Sequence, residues 1–502
     1  MKKIIRLLLL CLLICLDVNS QTVSKEMALQ VAENFWRVNS SENIREPILV
    51  QPWGESVQPT MYVCSLSDRW VLIAGDKRSQ PILAYSEGKN STFPSEDEMP
   101  PAMLYLINGY NEHIETLRFD NTARTEHPDW AIYAGSKSQS LPNRSVIVSP
   151  LLTRNGNENI WGQDGNNSAN PDTAKVYNKF CPSNNGCAHS VAGCGAVALG
   201  QILWYWQWPY AKKRNFLPNH NRLVSIYNWD IMPYQLTNES SLDEANMIAT
   251  LLHDIGEAEN MSYGCSVSSS DDLQDILNAL RNTFYYNADD YKERSNYADS
   301  TWYRFIKSNL DERHPVFYRG RTPFGYHFWV IDGYDSNNCF HMNFGWSGDS
   351  NDYYSLPADA NNSHAMITNI TPNYEFYCSP FTVPWSDQWP TNFTIRHGGG
   401  ITLYQIVIES GMHGYIFSED YVKIDIGTYI EQGAEVYIGI QGSRCNDELD
   451  QVQPSRMTQN ILSAANHFET PNLPRSSKEL RDGQLFIIHD TREYNANGVR
   501  IK

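Results

Sequence analysis

The sequence predicts an α+β protein on three observations. The first 120 residues mix amphipathic helices with short apolar strands. The middle of the chain places helices first and strands later, and the residues beyond 370 alternate as β-structure does. A chain of 502 residues is too long for one core, so several domains are expected.

At the N-terminus, "MKKIIRLLLLCLLICLDVNSQ" has a cationic start and an apolar run from Ile4 to Leu16. Residues 1–20 are therefore expected to be a secretory signal peptide cut after Ser20. Ile14 is bulky where lipoprotein processing favours a small residue before the cysteine, so no lipid on Cys15 is expected. Residues 21–120 read as a small α+β unit. In "SKEMALQVAENFWRV", Met27, Ala28, Val31, Ala32 and Phe35 share one helical face and Ser24 is placed to cap it. "MYVCSL", "RWVLIAGD" and "PILAYSEG" read as strands, and "PPAMLYLINGYNEHIETLRF" as a second helix. Residues 121–145 are polar and rich in turn formers, the pattern of an exposed linker open to cleavage.

Residues 146–370 form the next unit. "CGAVALGQILWYWQW", "SLDEANMIATLLHDIGEA" and "DDLQDILNALRNTF" have helical spacing, whereas "HPVFYRG", "HFWVIDGYD" and "CFHMNFGW" read as strands. The aromatic cluster Trp204–Trp208 is expected to be core. Residues 371–502 alternate around glycine turns, which predicts a β-sandwich-like C-terminal domain.

Composition narrows the function classes. A formal charge of −18 disfavours nucleic acid and anionic membranes as partners, and 41% hydrophobic residues with only 19% charged residues mark a folded chain. No segment after the leader is apolar enough to span a bilayer, and nothing requires a metal or cofactor. Export would remove Cys11 and Cys15 and leave eight cysteines, too sparse to be the main scaffold. A Cys181–Cys187 disulfide is expected ahead of the first helix of this unit. Cys181, Cys187, His189 and Cys194 do not have zinc-ligand spacing. His341 reads as an edge or core histidine, and His397 and His413 as turn residues, since no nucleophile elbow accompanies "HGGG".

Cys194 follows Gly193 at the start of an apolar helix. There the unpaired N–H groups and the helix dipole favour a thiolate, although a disulfide or a plain core role would equally suit a lone cysteine. His327 lies 133 residues downstream, within the nucleophile-to-histidine spacing of papain-like enzymes, and Asn343 follows by 16 residues on what reads as a neighbouring strand. Such an amide could hold the imidazole in one tautomer. Gln163 in "NIWGQDGN" offers a side-chain amide for an oxyanion.

The segments "PLLTRNGNENIWGQDGN", "GCGAVALGQILWYWQWP", "YGCSVSSSDDLQDILNAL", "HPVFYRG", "HFWVIDGYD" and "MNFGWSG" occur in the order found in the streptopain-like cysteine peptidases, a papain-fold family, and the chain resembles that family across most of its length. The resemblance implies a papain-like peptidase domain behind an inhibitory propeptide at 21–120, for which "WVLIAGDKRSQPILAYSEG" is the clearest match. It implies a secreted zymogen acting on proteins or peptides, with its own propeptide as intramolecular inhibitor, found in the periplasm, at the surface or outside the cell. By the same resemblance, Cys194 is the nucleophile, His327 the general acid/base and Gln163 the oxyanion donor. Asn343 and Trp346 fall on the family's "NWGWGG" segment, with Trp346 shielding the dyad. Tyr326 stands where relatives often have glycine, and Gly195 where valine is typical after the nucleophile. Gly193 and one serine of the loop, Ser268, Ser269 or Ser270, with Ser269 taken as representative, are expected to shape the substrate cleft. Two other roles remain open from sequence: a catalytically silent peptide-binding paralogue and an inhibitor of peptidases.

Overall fold

The computed structural model describes residues 21–39, 46–54, 58–86, 91–120, 125–134, 146–163, 173–209, 227–270, 272–322, 325–357, 364–373, 381–383, 392–397, 399–418, 420–440, 476–481, 484–489 and 492–495. The predicted leader 1–20 and the linker residues 135–145 lie outside these. The chain divides into two compact units, Met1–Asp447 and Glu448–Lys502. No described helix is long and apolar enough to cross a membrane.

Helix α1 (Lys25–Asn39) starts where Ser24 Oγ accepts the Met27 N–H at 3.2 Å. It buries Ala28, Val31, Ala32 and Phe35, the face read from the sequence. Strands β1 (Leu49–Trp53), β2 (Met61–Ser65), β3 (Trp70–Ala74) and β4 (Ile82–Tyr85) form an antiparallel meander. Helix α2 (Pro101–Phe119) begins on a proline, which a first turn tolerates because its N–H would be unpaired anyway. Short helix α3 (Asp129–Tyr133) corrects part of the linker expectation. Trp130 is fully buried and donates Nε1–H to Ser79 O at 2.8 Å, because its indole and the Tyr133 ring complete the α1 core.

The remaining elements of this sheet and its helices are β5 (Val146–Val148), α4 (Cys194–Trp206), α5 (Leu242–Ala258), α6 (Leu273–Asn278), β6 (Lys292–Glu293), α7 (Asp299–Asp311), β7 (Val316–Thr322), β8 (Gly325–Asp335), β9 (Phe340–Asn343), β10 (Asp352–Tyr354) and β11 (Ala365–Ile367). Helices α4, α5 and α6 pack around Trp204, Trp206 and Trp229, so the aromatic cluster is core. Arg154 lies 4.0 Å over the Trp204 ring and donates to Trp204 O. Strands β1 to β11 make one sheet in the order β1-β2-β3-β4-β10-β9-β8-β7-β11-β6, with β5 paired to β8 off this path. The seam between the N-terminal meander and the later strands is β4 against β10, where Tyr85 and Tyr353 stack with ring centroids 5.0 Å apart.

A second tie joins α2 to the later strands elsewhere in the sheet. His364 is fully buried, with Nε2 2.9 Å from Tyr105 Oη of α2 and Nδ1 3.0 Å from Tyr318 Oη of β7. A neutral imidazole donates from one nitrogen and accepts at the other, so the ring bridges both hydroxyls. Burial, with Arg294 nearby, holds it well below the usual histidine range. Its contribution is therefore complete above the unfolded histidine pKa of 6.5 and is lost as acid protonates the unfolded chain first. Tyr105→Phe leaves a ring nitrogen unsatisfied and should cost about 1–3 kcal/mol, read as a lower urea midpoint.

Beyond 370 the structure departs from the predicted sandwich. Asn392–His397, His413–Ser418 and Glu435–Ile440 pair parallel and in register, as do Phe381–Val383, Ile401–Leu403 and Val422–Ile424. Successive coils stack Ile395 on Ile416 on Ile438, the pattern of a parallel solenoid, whereas a sandwich is antiparallel. These coils belong to the first compact unit. In the second, Ser476–Arg481, Gln484–His489 and Arg492–Asn495 form a separate antiparallel sheet.

Candidate active site

Gly193 caps α4 with φ 89° and ψ 143°, a conformation that glycine adopts freely, and a Cβ there would also run into Met261. This turn delivers Cys194 to the first position of the helix. Its Sγ accepts the Phe328 N–H at 3.5 Å, which seats the sulfur against the backbone of β8 at the residue after His327. Both side chains are buried. Burial pushes the Cys194 thiol up to about 12 despite the N–H groups of Phe328, Gly195 and Cys194 around the sulfur. Burial also pushes His327 down to about 4, against the Phe344 carbonyl. The helix-end argument predicted a thiolate. The helix-end effect is therefore outweighed by desolvation, which favours the neutral thiol and the neutral imidazole.

His327 Nε2 donates to Phe344 O at 3.4 Å, which leaves Nδ1 as the basic nitrogen of the neutral ring. The expected contact with Asn343 is absent. Asn343 pairs in register with Val330, three residues from His327, so strand alternation turns the two side chains to opposite faces. Its Nδ2 donates to Asn159 O at 2.6 Å, and its Oδ1 accepts from Gln201 Nε2 and Gly345 N. Asn343 therefore fastens Asn159 and the α4 residue Gln201 to the sheet. Trp346, 38% exposed, has its ring centroid 6.2 Å from that of His327.

Gln163 is tied by its main chain, whose carbonyl accepts the Ala192 N–H at 2.7 Å, and its buried Nε2 has no hydrogen-bond partner among the described residues. Tyr326 is half-buried with the Arg319 guanidinium 4.2 Å from its ring centroid. Of the loop serines, Ser268 rather than Ser269 braces the site. Ser268 Oγ donates to Val191 O at 2.7 Å and accepts the Gly264 N–H, whereas Ser269 engages Ser262 through its backbone alone. The disulfide joins Cys187 to Cys265, clamping this loop to the one ahead of α4. The expected Cys181 partner is instead a buried free thiol. On the opposite strand, α2 packs Tyr105 against Gly320, the register partner of His327. The N-terminal segment thus lies beside the histidine's end of the sheet.

Sequence reasoning missed two buried acidic groups. Asp332 Oδ1 lies 2.6 Å from His341 Nδ1, making His341 a charged core residue, and Glu259 sits against the N-terminal turn of α4.

Comparison with known proteins fits this geometry. The family model of the Spi protease inhibitor matches residues 20–114, and that of the peptidase C10 family matches residues 172–354. Streptopain of Streptococcus pyogenes is 30% identical over 338 residues, covering 63% of this chain and 78% of streptopain. The chain belongs to the peptidase C10 family. This C10 chain is also 25% identical over 367 residues to the thiol protease/hemagglutinin PrtT of Porphyromonas gingivalis, covering 69% of this chain but 40% of PrtT. A fragment of prointerpain A from Prevotella intermedia superposes with a TM-score of 0.48 at 22% identity, covering 64% of this chain and 98% of the fragment. As a C10 member it is a cysteine peptidase of α+β fold that carries an inhibitor-like N-terminal segment.

Proposed function

We propose that the protein is an exported endopeptidase zymogen working through a Cys194–His327 dyad. The single observation that carries this reading is the seating of the Cys194 sulfur at the tip of α4, 3.5 Å from the backbone of the residue after His327. Cleavage between 121 and 145 releases the N-terminal segment and readmits water to the site, so that the thiol can pass its proton to His327 Nδ1. The thiolate attacks the scissile carbonyl carbon, and the oxyanion is held by the Cys194 N–H and Gln163 Nε2. Imidazolium returns the proton to the departing amine. His327 then takes a proton from water as it opens the thioester, regenerating the thiol. Substrates are proteins or peptides, and the N-terminal segment is the intramolecular inhibitor.

Expression of the wild type beside Cys194→Ala tests this. Only the wild type should shorten itself and hydrolyse peptides, the variant losing essentially all activity. A second reading, a silent peptide-binding paralogue, draws support from the neutral, buried state of both groups. Labelling of Cys194 by a thiol-directed epoxide after processing would refute it.

A further inference from the structure

Glu259 follows the last turn of α5, and the reaction above gives its carboxyl no task. The backbone is fixed, with N–H on Ile255 O at 2.9 Å and carbonyl accepting from Ser270 Oγ at 2.9 Å, so the side chain is not a loose end. The residue is fully buried, and neither carboxyl oxygen has a hydrogen-bond partner among the described residues. It points at the helix tip that holds the nucleophile: a Cβ on Gly195 would meet Oε1 at 2.9 Å and Oε2 at 3.0 Å. The missing side chain of Gly195 is the space the carboxyl fills. The titratable groups that act on or around it are Cys194 on α4, Asp275 on α6 and Tyr263 in the following loop, none of them a cation.

We propose that the Glu259 carboxyl, packed against Gly195 at the helix tip, is a brake on the nucleophile that opposes the Cys194 thiolate once it ionises, so that the peptidase carries a built-in upper pH limit. The proposal rests on Cys194 being the nucleophile. A buried carboxyl without a donor or cation is expected to hold its proton, and burial and Asp275 keep this one well above the usual range. Once ionised, it competes with the sulfur for the same helix end. Like charge at that range raises the thiol, and one pKa unit is about 10-fold in thiolate.

The test is the pH dependence of Cys194 alkylation by iodoacetamide in the self-processed protein, with the modified residue located by mass spectrometry. Glu259→Gln cannot ionise. It should match the wild type at neutral pH and alkylate about 10-fold faster on the alkaline side, His327 titrating alike in both. Superimposable profiles overturn the proposal, as does a faster Glu259→Gln at neutral pH, which would mean the carboxyl is already charged. Glu259→Met, similar in volume and equally unable to ionise, gives the same readout should the amide not fold. Alkylation reports on the thiol itself. A flat comparison with Cys194→Ala still inactive removes Glu259 alone, whereas an active Cys194→Ala removes the nucleophile.

Discussion

Gln163→Ala is expected to lower kcat for peptide hydrolysis about 10²–10³-fold with KM nearly unchanged. The reason is the unfilled donor. Gln163 Nε2 is buried without an acceptor, although an amide N–H in that state costs free energy. Its backbone is held by Ala192, two residues before Cys194, so helix tip and amide move together. On the proposed role as oxyanion donor, such an amide would stabilise charge that appears only in the transition state, so the loss should fall on kcat. Steady-state kinetics of the processed enzyme on a fluorogenic peptide would show it. A raised KM at constant kcat would reassign Gln163 to substrate binding. Gln163→Glu should be worse than alanine, because a carboxylate would face the oxyanion.

Local patterns of the site were legible because local physics makes them. The apolar run after Gly193-Cys194 becomes α4, and the buried face of α1 is the one its spacing shows. What stayed hidden depends on distant partners. Alternation in "YIGI" is the same whether a strand pairs parallel or antiparallel, so the solenoid looked like a sandwich. Spacing placed Asn343 near His327 in the chain, but the register of β8 against β9 decides the face. The Cys187–Cys265 bond closes a separation of 78 residues, and no local signal favours it over Cys181. Glu259 lies just past a segment whose spacing shows a helix but not which neighbour its end meets. Only the fold brings it under Gly195.

Asp332→Ala should destabilise the peptidase unit by about 3–5 kcal/mol, because it removes one partner of a buried ion pair. Asp332 Oδ1 meets His341 Nδ1 at 2.6 Å while Oδ2 accepts the Leu152 N–H at 2.9 Å, so one fully buried carboxylate joins β8, β9 and the segment that leads to Gln163. Burial alone would depress His341. The charges of Asp332 and Glu158 and the Asp332 hydrogen bond overcome it and raise the ring from 6.5 to about 9. A base raised on folding contributes fully below the unfolded value of 6.5, and the contribution disappears as pH climbs through about 9. Wild-type thermal midpoints should therefore fall between neutral pH and about 9 by more than surface titration explains. In Asp332→Ala the imidazole has lost its main counter-charge and sits neutral. The variant should start lower and show little further loss over the same interval, and a parallel decline in both proteins would mean that the pair is not charged in the folded chain.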